Sequence, residues 1–247
     1  MKKTKKIITI LMLISMISSF ISPLCVNALT SGDVYNYITN TKTTYNNFEI
    51  ILIDNNSCEQ STFDLIKNYE KEHNNFKSIR LECEFNYSYI NNQGVKECNG
   101  DYIVLLNNDT EIITENWLEI MVGYASQKHI GCVGAKLLYP DKTVQHTGVV
   151  LGCGGVASHA FLRLPYNALG YFSRARITYD WSCVTAACLM IKKDKFYEVN
   201  GLDENLKVVC VVENNTNLDR TVFLNKNLKE IVNILRENNI VLYDEKT

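Results

Sequence analysis

The uninterrupted run Tyr102-Ile103-Val104-Leu105-Leu106, broken at once by Asn107-Asn108-Asp109-Thr110, most constrains what this chain can fold into. A short β-branched and aromatic run without polar alternation reads as a strand buried on both faces, as in a parallel sheet covered by helices. Open α/β sheets place ligands beyond the C-terminal ends of their strands. This strand end carries one carboxylate and two carboxamides, a donor set suited to a hard divalent cation and, through it, a diphosphate. The same residues are ordinary turn formers. What lifts the ligand reading above the turn reading is a second strand of this kind: Phe48-Glu49-Ile50-Ile51-Leu52-Ile53 reads as a buried strand and ends in Asp54-Asn55-Asn56-Ser57. Parallel neighbours would bring both polar ends to one edge.

The rhythm between these runs supports that arrangement. Residues 59–72 carry Phe63, Ile66 and Tyr69 at helical spacing, with Ser57 or Ser61 available as a cap. Residues 78–81 read as a short strand. A helix holding Ile90 and Val95, capped by Ser88, ends at Asn99-Gly100. Thr114 opens another with Trp117, Ile120, Met121 and Tyr124 on one face. Strands alternating with helices predict βαβ units and a mainly parallel sheet, an α/β fold with flanking helices. The second half differs. Residues 132–138 and 143–151 flank a hairpin turn at Pro140-Asp141, and residues 152–180 form a long Gly- and aromatic-rich stretch of the kind used as a lid or binding loop. Residues 184–191 read as one buried strand, followed by a short helix with Phe196 and Val199. Residues 228–235 have helical spacing and 240–243 are strand-like.

Composition narrows the function classes. The chain has 247 residues, 46% of them hydrophobic, and a net charge of −2, so it has a sizeable core and no nucleic-acid footprint. Lys2, Lys3, Lys5 and Lys6 precede an apolar stretch over residues 7–21, with Val26-Asn27-Ala28 beyond. That order predicts a secretory signal peptide over residues 1–28, cleaved after Ala28, and a secretory-pathway or extracellular location. Membrane contact would arise only through this segment if it were uncleaved. The nine cysteines fit an exported protein poorly. Cys132, Cys183, Cys188 and Cys210 lie in apolar runs, where a thiol acts as a small hydrophobe, so the core looks cytosolic.

Taken together, several segments resemble glycosyltransferase family 2, which has a GT-A fold, and most closely its bacterial surface-polysaccharide (O-antigen or rhamnosyltransferase-like) branch. They are Tyr45-Asn46-Asn47-Phe48-Glu49-Ile50 with Asp54-Asn55-Asn56-Ser57, Asn86-Tyr87-Ser88 with Asn91-Asn92, Gly100-Asp101-Tyr102, and Leu105-Leu106-Asn107-Asn108-Asp109-Thr110-Glu111. Further along come Val144-Gln145-His146, Gly154-Gly155-Val156, His159-Ala160-Phe161, Gly170-Tyr171-Phe172, Val184-Thr185-Ala186-Ala187-Cys188-Leu189 and Gly201-Leu202-Asp203-Glu204. The resemblance defines a domain over residues 42–208, between a linker at 29–41 and a divergent tail at 209–247 with a helix and a short strand.

The resemblance implies an inverting transfer of a sugar from a nucleotide-diphosphate donor to a glycan or polysaccharide acceptor. By it, Asp54, Asn55, Asn91 and Asn107 contact the nucleotide. Asp109 with Asn107 binds Mg²⁺ or Mn²⁺, and His146, His159, Trp181 and Thr185 surround the donor sugar and acceptor. Two family features are not found in the sequence. A leader-like segment stands where the family's first βα unit is expected, so that unit reads as missing. The acidic motif that supplies the general base is replaced by Val209-Cys210-Val211-Val212-Glu213, which leaves Glu213 and Asp203 as the candidates. Two alternatives therefore stand beside the enzyme: a truncated homologue that binds nucleotide or glycan without turnover, and an exported interaction protein on the same scaffold.

Overall fold

The computed structural model describes residues 8–15, 43–152, 157–205 and 211–212. Its core is a six-stranded sheet. The strands are β1 (Ile8–Ser15), β2 (Phe48–Asn55), β3 (Phe76–Arg80), β4 (Tyr102–Asn107), β5 (Cys132–Gly134) and, further along the chain, β11 (Cys188–Lys192), in the order β3-β2-β1-β4-β11-β5. The pairs β3-β2, β2-β1 and β1-β4 are parallel, whereas β11 runs antiparallel to both β4 and β5. The mixed, mainly parallel α/β sheet is thus as the sequence predicts.

The helices are α1 (Gln60–Glu72), α2 (Tyr87–Lys96), α3 (Trp117–Ala125) and α4 (Lys193–Glu198). They sandwich the sheet. Ile8, Ile10, Ile50, Leu52, Val104 and Leu106 pack with Ile66 of α1 and with Trp117, Leu118 and Met121 of α3. The alternate residues Leu11, Ile51, Ile53, Ile103 and Leu105 pack with Ile90 and Val95 of α2 and Phe196 of α4. Burial on both faces explains why residues 50–53 and 102–106 are apolar at every position. At Gly94 of α2 an added Cβ would lie 2.5 Å from Ile53 Cδ1, so the missing side chain sets how closely that helix approaches the sheet. The cap of α2 differs from expectation. Asn86, not Ser88, accepts the amide of Tyr89 (3.0 Å), while Ser88 is buried within the helix.

The largest correction concerns the N-terminus. The strand that reads as missing is present: β1, drawn from the first half of the leader-like apolar stretch, fills the central slot. Its register runs Ile8↔Phe48 to Ser15↔Asn55 on one side and Ile8↔Tyr102 to Leu13↔Asn107 on the other. Ile8, Ile10 and Leu11 are at most 1% exposed. A strand with sheet on both edges and helices on both faces needs the same unbroken apolar run as a leader's hydrophobic region, which is why the two readings coincide in sequence. They exclude each other in the folded chain, because cleavage after Ala28 would remove β1. Thr9 anchors the strand: it is fully buried, donates to Glu49 Oε1 (2.5 Å) and accepts from the amide of Gly100 (2.9 Å), while the amide of Asn99 donates to the same carboxylate (2.6 Å). Burial pushes the Glu49 carboxyl up, but the hydrogen bonds from Thr9, Asn99 and Gly100 outweigh it and hold it below its ordinary value.

The second half of the chain supplies small antiparallel pieces: β6 (Leu137–Leu138) with β7 (Val144–His146), and a four-stranded sheet in the order β12-β10-β8-β9. Its members are β8 (Val149–Leu151), β9 (Ala157–His159), β10 (Cys183–Val184) and β12 (Val211–Val212). The β6-β7 pair flanks Pro140-Asp141 as expected. The single strand expected over 184–191 is instead two, β10 and β11, broken because Ala187 turns its carbonyl to the amide of Asn107 (2.9 Å) at the end of β4. Cys132, Cys183 and Cys188 are buried; Cys210 and the features expected over 228–243 lie outside the described residues. No described helix is long and apolar enough to cross a membrane.

Candidate functional site

The register of β1 fixes how the two polar strand ends stand to each other. Leu13 pairs with both Ile53 and Asn107, so Asp54 and Asn107 lie at one edge, two strand spacings or roughly 10 Å apart. Asp54 is 3% exposed. Its Oδ1 accepts the amide of Ser57 (3.0 Å) and its Oδ2 accepts Arg80 Nη1 (2.5 Å). Arg80, which also donates to Glu82 (3.0 Å) and lies 5.0 Å from the centre of the Phe63 ring, has no counterpart among the residues the sequence singles out. It ends β3, so its partnership with Asp54 follows from β2-β3 register rather than local pattern. Asn55 is buried, and its amide nitrogen donates to the carbonyls of Leu81 and Cys83, both at 3.0 Å. It holds the chain leaving β3. Asn91 sits inside α2, where its amide donates to the Tyr87 carbonyl (2.8 Å).

Beyond β4 the chain turns, with the Thr110 amide donating to the Asn107 carbonyl (3.3 Å). Asn107 stays half-buried at the strand end and Asp109 is exposed. Among the described residues no three His, Cys, Asp or Glu side chains cluster closely enough to cage a metal. One exposed carboxylate beside a carboxamide fits a cation of the Mg²⁺ kind, which keeps waters and takes its remaining ligands from a substrate's phosphates. The residues present thus fit a shared ion and not a dedicated cage.

His146 and His159 lie against each other. Their rings are perpendicular, with centres 4.9 Å apart and Nδ1 atoms 3.1 Å apart. His146 is 1% exposed, and its Nε2 accepts the amide of Thr185 (3.3 Å). That bond assigns the hydrogen of the neutral ring to Nδ1, which faces His159. Burial first, then the neighbouring His159, lowers the His146 pKa to about 4. His146 is thus a neutral structural link from β7 to residues 185–187, which in turn hold Asn107. His159 is exposed.

Trp181 is fixed from three sides. Phe161 (6.0 Å) and Tyr179 (5.1 Å) meet it edge to face, and Gly148, at φ +153°, lies against the indole so closely that an added Cβ would stand 2.0 Å from Cγ. It lines a groove of about 190 Å³ beside Gly134. Of the two catalytic candidates, Asp203 is engaged by its own turn, accepting the amide (2.9 Å) and side chain (3.0 Å) of Asn205. Glu213 lies outside the described residues, as do Gly154, Gly155 and Val156. The sequence reading missed Arg80, Gly148 and the basic residues of the groove; of these only Gly148, beside a candidate histidine, left a local trace.

Comparison with known proteins agrees with this geometry. The family model of Glycosyl transferase family 2 matches residues 25–199. Over 164 residues the chain is 44% identical to the Sinorhizobium fredii protein y4gI, covering 66% of this chain and 18% of that protein. Over 168 residues it is 37% identical to the O-antigen biosynthesis protein RfbC of Myxococcus xanthus, covering 68% of this chain and 13% of that protein. The chain therefore spans less than a fifth of either relative. Among solved structures, the mannosyltransferase PcManGT of Pyrobaculum calidifontis, in complex with GDP-Man and Mn²⁺, superposes with a TM-score of 0.54 at 10% identity, covering 83% of this chain and 49% of that one. GalNAc-T7 with UDP, GalNAc and Mn²⁺ gives 0.58 at 16% identity, covering 82% and 38%. These structures share the fold.

Proposed function

The chain belongs to glycosyltransferase family 2, and we propose that it transfers a sugar from a nucleoside-diphosphate donor to a saccharide acceptor, with inversion at the anomeric carbon, during polysaccharide assembly. The observation that carries this reading is the pair of polar strand ends, Asp54 and Asn107 to Asp109, set two strands apart on one edge by β1. A single extended nucleoside diphosphate spans that separation. Asp54, its carboxylate oriented by Arg80 and the Ser57 amide, receives the nucleoside end. Asp109 and Asn107 hold a divalent cation, Mg²⁺ or Mn²⁺, at the diphosphate end. When bound, such a cation stabilises the charge that develops on the departing nucleoside diphosphate. Residues 185–187, tied to His146 and to Asn107, close the site on the acceptor side. Support comes from the Mn²⁺ and nucleotides bound by the two structures of the same fold and from the O-antigen role of the Myxococcus relative.

Calorimetric titration of the full chain with UDP, dTDP and GDP, with and without Mn²⁺, tests the donor site. Binding of one of them only with Mn²⁺, abolished in Asp109→Ala, is the expected result. Failure of all three to bind in the presence of the metal would sink the proposal.

A further inference from the structure

The groove beside Trp181 has a chemistry that the donor site does not use. Its position follows from the sheet. β5 is antiparallel to β11, which is antiparallel to β4, so β5 runs in the direction of β4 and ends at the same edge. Gly134, the last residue of β5, pairs with Leu189, which pairs with Leu105. The groove therefore opens about two strand spacings, roughly 10 Å, from the end of β4. It lies on the opposite flank from Asp54. An added Cβ at Gly134 would lie 2.6 Å from Val184 Cβ, so the absence of a side chain there lets β10 close against β5 and form the groove's floor.

Three cations and one carboxylate line this space: Lys136, Arg174, Arg176 and Asp180, together with the rings of Tyr179 and Trp181. A run of basic residues is usually a solvated face, but here two of the three side chains, Lys136 and Arg174, are held. The Lys136 ammonium donates to the carbonyls of Tyr166 (2.9 Å) and Ala175 (2.8 Å), which fixes it in the wall with further N–H capacity. The Arg174 guanidinium stacks 4.4 Å from the Tyr179 ring centre, and the same tyrosine braces Trp181. Among the described residues none of the three cations forms an ion pair. Burial, then the like charge of Arg176, keeps the Lys136 pKa below its ordinary value. Two cations that disfavour each other are relieved by an anion placed between them.

We propose that this groove binds an anionic saccharide, its carboxylate or phosphate received by Lys136 and Arg176 and an apolar sugar face laid on Trp181. A preorganised aromatic plane and the immobilised Lys136 ammonium lose little freedom on binding, which favours recognition of a flexible glycan. The proposal rests on the transferase reading only in making this ligand the acceptor; the groove's selectivity for anions stands without it.

The test is a titration of the full chain, without nucleotide, by tetragalacturonate, by maltose 1-phosphate and by neutral maltotetraose. At low salt at least one acidic probe should bind about tenfold tighter than maltotetraose, and which of the two does so distinguishes carboxylate from phosphate. Arg176→Gln, at an exposed position whose side chain has no hydrogen bond or ion pair among the described residues, should remove most of that preference. Trp181→Phe should weaken the acidic and neutral probes alike. Equal affinity for acidic and neutral probes would overturn the proposal. So would an acidic preference unchanged in Arg176→Gln, or competitive displacement of the acidic probe by UDP without metal, which would give the cations to the donor's diphosphate. Asp109→Ala should leave saccharide binding intact, so a failed donor site and a failed groove give different results.

Discussion

The two flanks of the site are built by opposite means. On the nucleoside flank, β1 to β4 are parallel strands, with β2 and β4 buried on both faces, and the functional groups are simply strand ends. On the groove flank, short strands and loops over residues 132–187 are held by individual contacts: Lys136 on two carbonyls, His146 on the Thr185 amide, Gly148 against Trp181. The first flank derives its geometry from register, which is cooperative and collective. The second depends on single close approaches, so one methyl group there can move a binding residue.

The difference between the flanks should be broken most completely by removing residues 1–28. The central slot of the parallel flank would be empty, β2 and β4 would each lose a hydrogen-bonded neighbour, and no cooperative thermal transition should be seen by circular dichroism. A chain starting at residue 29 that melts cooperatively would refute the assignment of β1 and restore the leader. The point variant Ile10→Asp, which places an unpaired carboxylate at a fully buried position, should destabilise by more than about 4 kcal/mol in urea unfolding.

A smaller effect is expected from pH, and it reports on the groove flank. His146 is held at a pKa of about 4 against an ordinary 6.5, so below pH 6.5 the unfolded chain takes up a proton that the folded chain refuses. The stability due to the neutral ring is complete above pH 6.5 and is lost as pH falls toward 4. Between pH 7.5 and 4.5 the loss should be about 2 to 3 kcal/mol, measured by urea unfolding at both values. His146→Gln should flatten that dependence, and an unchanged slope would show that another group carries it. Glu49, whose carboxyl is held low, adds to the fall only at still lower pH, where it gains its proton.

Gly148→Ala should cost about 1 to 3 kcal/mol, because the new methyl overlaps the indole of Trp181. Tryptophan emission should shift to the red as the ring leaves its cage; unchanged emission and stability would mean the cage is loose. The smallest expected change is the stability of Asp109→Ala. This exposed side chain holds no described partner, so unfolding should move by less than about 0.5 kcal/mol while metal-dependent nucleotide binding disappears.

Much of the parallel flank was legible because its signals are local. Apolar runs that end in Asp54-Asn55-Asn56 and Asn107-Asn108-Asp109 announce buried strands and a ligand edge without knowledge of their neighbours. The leader-like stretch is ambiguous for the same reason, since an unbroken apolar run does not say whether bilayer, translocation machinery or sheet surrounds it. The family match begins at residue 25, so β1 became visible only through its pairing. On the groove flank, His146, His159, Thr185 and Trp181 were reached through the resemblance, but Lys136, Arg174 and Arg176 were not. Nothing within a few residues of a surface lysine indicates that two distant carbonyls will hold it.

The sequence by itself determined the α/β class, the family and the chemistry of the strand ends, because periodicity and the polar residues that interrupt it act within a few residues. Only the tertiary structure decided that residues 8–15 are the sheet's central strand, that Asp54 and Asn107 stand two strands apart, and that three cations and a tryptophan share one groove. Each of those facts depends on which strand pairs with which, and such pairing is settled by burial and hydrogen bonding between segments far apart in the chain.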